Sequence, residues 1–340
     1  MVARSLHHHK RHSCHQKNTV GMTTNSSAKE KVVFVMGATG TGKSRLAIDL
    51  ATRFAGEVIN SDKMQVYKGL NIVTNKVTAE ECGNIRHHLI GTIEPDQDFN
   101  ASDFRTHVME LVDVVLSRGR LPIIAGGSNS FIEALVDGED GTFRAMYECC
   151  FLWVEVALPV LDSFVSERVD DMVRVGMVEE VKEMFDPNVS DYSRGIRRSI
   201  GFPEMSRFLK MEITKAEAIK EIKENTCILA RNQLGKIIRL FVNWRMDWRM
   251  RVDATEAFLE RRNKNRLNDE WENKVARPSI DFVIDFLTGG KLNKPSSAKT
   301  AKSTGKKKNK SKNKNKNNTP CSDVSTSITT SSGITLVGAT

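Results

Sequence analysis

The chain has 340 residues and a net charge of +9, with 39% hydrophobic and 27% charged residues. That length suits one sizeable α/β domain, or one domain with a small insert. No apolar run approaches the roughly eighteen residues a membrane-spanning helix needs. Cys14, Cys82, Cys149, Cys150, Cys227 and Cys321 form no CxxC pair with matching histidines, which argues against a zinc site or a disulfide frame and for a reducing compartment.

The charge is unevenly spread. Residues 1–30 hold five basic side chains and one acid, residues 291–322 hold eleven lysines and no acid, and the span 31–290 is left at −5. A tRNA-sized polyanion calls for a basic folded surface, whereas a small nucleotide needs only a few well-placed cations.

Residues 1–30 are rich in His, Ser, Thr and basic residues, with no acid before Glu30. The pattern reads as an organelle transit peptide, which implies a plastid location, or as a plain disordered leader on a cytoplasmic protein. From Lys31 strand and helix signals alternate. VVFVM (32–36) reads as a buried parallel strand, 43–55 as an amphipathic helix, EVIN (57–60) as a second strand, and 102–118 as a helix stopped by Gly119. LPIIA (121–125) and FLWVEVAL (151–158) read as further strands. This alternation predicts an α/β fold, an open parallel sheet flanked by helices.

The second half reads as helical over roughly 160–290, with long helices at 160–185 and 214–249 and a short one at 278–287. After Gly290 the composition turns to Lys, Asn, Ser and Thr, and 291–340 is expected to be disordered. The expected layout is therefore a leader over 1–30, one domain over 31–290 and a tail over 291–340, in a monomer that does not enter the membrane.

The strongest chemical signal is GATGTGKS (37–44), which fits the phosphate-binding pattern G-x-x-x-x-G-K-[ST], with a strand before it and a helix after it. Gly37, Gly40 and Gly42 let backbone amides curl around an anion, and Thr41 belongs to the same loop. The following helix adds its N-terminal dipole. Lys43 supplies a point charge to the phosphates, and the Ser44 hydroxyl is a ligand for Mg²⁺. A P-loop NTPase-like fold follows, but many functions share it.

The second strand ends in NSDKMQVYKGLNIVTNK (60–76), and strand ends in such a sheet face one crevice. Asp62 thus reads as a general base, or as an aspartate that organises Mg²⁺ or caps a helix. Gly126, Gly127 and Ser128 follow LPIIA and reach the same rim, either to meet a diphosphate or simply to turn.

Taken in order, GATGTGKS (37–44), SDKMQVYKGL (61–70), GGSNSFI (126–132), RVDDMVRVGMVEEV (168–181) and IGFPEM (200–205) resemble the isopentenyltransferase family over roughly residues 32–250. That family includes tRNA dimethylallyltransferases and the adenylate isopentenyltransferases of cytokinin synthesis. The resemblance implies transfer of a dimethylallyl group from dimethylallyl diphosphate to the exocyclic amine of an adenine. It implies Asp62 as the base and Thr39 as the residue orienting the amine. The P-loop with Lys43, Ser44 and Ser128 would hold the diphosphate, and Gln65 would shape the acceptor pocket. On the long helix Arg231 reads as a clamp on the diphosphate or as a surface arginine, and Lys220 as an acceptor-pocket contact to a nucleotide's phosphates or as part of a solvated face. The long helix departs from the family pattern: Cys227 and Asn232 stand at positions that are often basic, and Arg231 keeps one. Pro203 stands where relatives often have Lys, and Phe131 where many have Tyr.

Three features favour AMP, ADP or ATP over tRNA as acceptor: the acidic 31–290 span, the thinned basic positions, and no C₂H₂ zinc-finger spacing after residue 250. The lysine-rich tail pulls the other way. A P-loop kinase, or a nucleic-acid-binding protein using the lysine tail, is the remaining alternative; the first would leave the downstream motifs unexplained and the second the intact P-loop and Asp62.

Overall fold

The computed structural model describes residues 29–138, 141–244 and 246–290. The expected leader, apart from Lys29 and Glu30, and the expected tail lie outside the described residues. In β1 (Glu30–Met36) the five residues Val32–Met36 have no exposed surface, which only a central strand covered on both faces allows. Their side chains alternate: Val33 and Val35 join one apolar cluster, while Val32, Phe34 and Met36 join another on the opposite face.

In chain order β1 is followed by α1 (Lys43–Phe54), β2 (Glu57–Asn60), α2 (Ala79–Cys82), β3 (His87–His88), α3 (Ala101–Ser117), β4 (Pro122–Gly126), α4 (Asn129–Val136), α5 (Thr142–Met146) and β5 (Tyr147–Glu155). The second half holds α6 (Leu158–Arg174), α7 (Met177–Met184), α8 (Phe202–Leu209), α9 (Lys215–Asn243), β6 (Arg249–Asp253), α10 (Thr255–Leu259), α11 (Lys264–Trp271) and α12 (Arg277–Thr288). The sheet has six strands in the order β3-β2-β4-β1-β5-β6, and every pairing is parallel.

The expected open parallel sheet is therefore present, with two strands that periodicity does not reveal. β3 is only two residues long, and β6 begins at Arg249, where the helix read over 214–249 was expected to end, the helix itself stopping at Asn243. The expected helix over 160–185 is two helices. Gly176, at φ +113°, breaks it, in a backbone region that L side chains rarely adopt.

Register decides where the chemistry sits. Met36 lies opposite Gly126, and Asn60 opposite Ala125, so β1, β2 and β4 end level. The chain leaves β1 for α1 on one face and leaves β4 for α4 on the other, because α1 packs in one apolar cluster and α4 in the other. Adjacent strands whose connections part in this way open a crevice at their carboxyl ends. The P-loop, Asp62 and Gly127 all follow directly on these three strands.

The C-terminal segment closes the far side of the P-loop. The Trp271 indole is 2% exposed and donates to Asp49 Oδ2 at 2.8 Å, with Arg45 stacked 4.5 Å from its ring. A side chain at Gly42 (φ +87°) would meet that ring at 2.7 Å. Replacing Trp271 with Ala should destabilise the protein by about 3–5 kcal/mol, the usual cost of deleting a buried aromatic, as read by urea unfolding. Trp271→Phe should cost clearly less.

Candidate active site

At the crevice lies a cavity of about 520 Å³. One wall is the P-loop (Thr39, Gly40, Gly42, Lys43 and Ser44), the facing wall is Asp62, Gln65 and Gly127, and the helical half roofs it from α6 and α9. The apolar part of the roof includes Val169, Met172, Met177 and Ile222.

Positive charge is concentrated here. Burial pushes the Lys43 ammonium down to about 8, against the pull of the nearby Asp62 carboxylate and helped by the Arg168 guanidinium. Lys43 Nζ donates to the Ala38 carbonyl at 2.6 Å. Arg168 is partly buried as well, and burial brings it down to about 10 although Asp62 opposes the shift. Its Nη2 donates to Thr39 Oγ1 at 2.9 Å, while its Nε has no hydrogen-bond partner. Two partly buried cations thus face one carboxylate. A buried charge without full compensation costs several kcal/mol, and an anionic ligand removes that cost.

Asp62 is held for its task. Its backbone amide donates to Asn60 Oδ1 at 3.0 Å, and its Oδ1 accepts from the Met64 amide at 2.9 Å. Gln65 is on the cavity wall as expected, with Nε2 donating to the carbonyls of Thr74 and Asn75 at 3.2 and 3.1 Å. A second cavity, of about 670 Å³, adjoins the first through Asn75, Glu81, Arg168 and Met172. It contains Lys76, which burial pushes down to about 8 against Glu180 and Asp62.

Other expected site residues stand elsewhere. Gly37 and Thr41 support the loop from below: Thr41 is 1% exposed and its hydroxyl donates to the Ala38 carbonyl at 3.0 Å, and a side chain at Gly37 would collide with Thr41 Oγ1 at 2.5 Å. Ser128 does not line the cavity, since its Oγ accepts from the Lys63 amide at 2.8 Å. Arg231 is half exposed and paired with Asp162 on α6, away from the cavity lining. Lys220 is 77% exposed and lies 3.9 Å from Glu224 on the solvent face of α9. Helix α9 turns Ile222, Thr226 and Leu229 to the cavity, and Lys220 and Arg231 lie off that face. Tyr67 and Phe131 are core residues: Tyr67 is fully buried, and Phe131 stacks on Phe104 at 4.7 Å.

Arg168 and Gln233 take their place at the site only through the fold. Gln233 Oε1 accepts from the Thr39 amide at 2.7 Å, and its Nε2 donates to the Gly127 carbonyl at 3.0 Å. Arg168 opens the RVDDMVRVGMVEEV segment that resembles the family, whereas Gln233 lies in none of those segments, and neither has a local pattern that separates it from surface residues.

The model of the family described as IPP transferase matches residues 65–146 and 139–235. Adenylate isopentenyltransferase 5, chloroplastic, from Arabidopsis thaliana is 57% identical over 76% of this chain and 81% of its own length. The chain belongs to the IPP transferase family. The adenylate isopentenyltransferase of Humulus lupulus is 40% identical over 74% of this chain and 89% of its own. Among solved structures, a eukaryotic dimethylallyltransferase acting on tRNA superposes with a TM-score of 0.65 at 23% identity, covering 78% of this chain and 81% of that one. The full-length tRNA isopentenylpyrophosphate transferase of Bacillus halodurans gives 0.57 at 26% identity, covering 72% and 99%. This IPP transferase is thus a transferase on a P-loop NTPase-like fold.

Two outcomes follow from the geometry. Affinity for dimethylallyl diphosphate should fall as pH rises through about 8, because Lys43 then loses its proton. Calorimetry on Lys43→Met should show weaker binding without that fall, and a fall that persists would trace it to Lys76 instead. Arg231→Ala and Lys220→Ala should keep kcat/KM within about twofold of wild type, since exposed pairs contribute about 0–1 kcal/mol.

Proposed function

We propose that this transferase moves the dimethylallyl group of dimethylallyl diphosphate to the exocyclic amine of AMP, ADP or ATP, the first step of cytokinin synthesis. The observation that carries the reading is the facing pair of walls: two partly buried cations and a P-loop on one side, and a fixed carboxylate at the end of β2 on the other. The diphosphate lies along Gly40, Gly42, Lys43 and Ser44. The amine nitrogen attacks the allylic carbon, the carbon–oxygen bond breaks, and pyrophosphate leaves with the bonding electrons. Asp62 takes the proton that the amine sheds. Lys43, the loop amides and Arg168 stabilise the charge growing on the leaving group, and Thr39, held by Arg168, orients the amine.

The donor set suits Mg²⁺. The Ser44 hydroxyl and the Asp62 carboxylate are hard oxygen donors lining one cavity, and no group of three or more His, Cys, Asp or Glu among the described residues could hold a metal ion. Mg²⁺ characteristically takes one or two protein oxygens and completes its shell with phosphates and water. Ser44 would hold it, and it would add positive charge at the departing diphosphate.

A free nucleotide is favoured as acceptor by the −5 balance of residues 31–290 and by a local cluster of cations. Arg198 lines the cavity with a buried, unpartnered Nε. It and Lys236 stand close enough to Lys63 to lower its pKa further, beyond the effect of burial. None of the three has an acidic partner among the described residues. The names of the similar relatives, most of them adenylate isopentenyltransferases called chloroplastic and one mitochondrial, support the nucleotide acceptor and a plastid location for this chain.

The test is an assay with dimethylallyl diphosphate, Mg²⁺ and either AMP, ADP, ATP or undermodified tRNA. Prenylated nucleotide is expected, with Asp62→Ala lowering kcat by about 10²–10⁴-fold and with EDTA abolishing turnover. Product on tRNA alone would overturn the acceptor, and product undiminished in Asp62→Ala would overturn the base.

A further inference from the structure

Helix α9 sends one side chain to the point where the P-loop and the end of β4 meet. The Gln233 carboxamide accepts from the Thr39 amide at 2.7 Å and donates to the Gly127 carbonyl at 3.0 Å. Both partners are backbone groups with a single role each, so the orientation of the amide is fixed by its neighbours. The helix at this position is anchored as well, because Asn129 Nδ2 donates to the Gln233 carbonyl at 3.2 Å. Gly127 leaves room for the arrangement: a side chain there would stand 2.7 Å from Gln233 Nε2 and 3.7 Å from Asp62 Oδ2. The carboxamide thus lies between the loop that carries Thr39 and the rim that carries Asp62.

The bond has a chemical consequence. A P-loop amide ordinarily points at phosphate, but the Thr39 amide is already engaged, so the diphosphate is left to the deeper part of the loop. Thr39 is held at two atoms by the helical half, at its amide by Gln233 and at its hydroxyl by Arg168. We propose that Gln233 is a positioning residue for prenyl transfer, tying the P-loop apex at Thr39 to the β4 rim so that Thr39 and Asp62 face the acceptor amine together. This rests on the dimethylallyl transfer proposed above. The residue acts through Thr39 and does not touch the diphosphate, so it governs turnover and not donor binding.

The experiment compares wild type with Gln233→Leu, which is similar in size and makes neither bond, and with Gly127→Ala, which leaves Gln233 in place and displaces its amide. Steady-state kinetics with dimethylallyl diphosphate and AMP are paired with calorimetric titration of inorganic pyrophosphate. The expected result is a kcat lower by about 30- to 100-fold in both variants, the scale of an ångström misplacement at a reacting centre. KM for the donor and the pyrophosphate Kd should stay within about threefold of wild type. If Gln233→Leu does not fold, Gly127→Ala decides alone. A kcat within about threefold of wild type, or pyrophosphate affinity falling in parallel with kcat, would overturn the positioning role while leaving the activity intact. A wild type that transfers no prenyl group would instead overturn the proposed function, and this inference with it.

Discussion

Burying Lys43 and Arg168 beside a single carboxylate is the constraint on which the rest of the architecture turns. Neither cation can be placed so deep without a strong reason, and burial lowers both pKa values. The sheet brings Lys43 and Asp62 to one rim because β1, β2 and β4 end level. Arg168 comes from α6, in the helical half that also sends Gln233 of α9 to the same rim. The site is therefore complete as a charge arrangement only with an anion between its walls. Its affinity for such an anion and its instability without one share the same origin.

The helical half serves as more than a cover. Through Arg168 and Gln233 it takes hold of Thr39, at the apex of a loop whose lower turns are fixed from within by Thr41 and Lys43. A loop held from both sides pays little reorganisation when charge shifts during reaction, which is the condition under which fixed dipoles and charges work well.

Strand-and-glycine chemistry was readable from the sequence, and helix-face chemistry was not. The VVFVM run and the glycine spacing of residues 37–44 specify a central strand and an anion loop through short-range physics, and the structure places Lys43, Ser44, Asp62 and Gln65 on one cavity. Arg231 and Lys220 lie off the cavity, and a basic residue on a long helix gives no sign in the sequence of which face it occupies. Two positions along α9, Gln233 reaches the P-loop while Arg231 pairs with Asp162. β6 was hidden for a related reason: its RMRVD sequence shows one buried side chain, and its strand character comes from pairing with β5. The Gly176 break was visible as a glycine, but helical periodicity runs through it on both sides.

The Trp271 wedge has a bearing on how the protein is made. The phosphate loop lies near the start of the described chain, yet the indole that backs Gly42 and bonds Asp49 comes from a residue 222 positions beyond that aspartate. A ribosome releases β1 and the loop long before Trp271 leaves the exit tunnel. Until then the loop has an open back at Gly42, although Arg168 and Gln233 precede Trp271 in the chain. The back of the phosphate loop is therefore closed by one of the last parts of the described chain to be made.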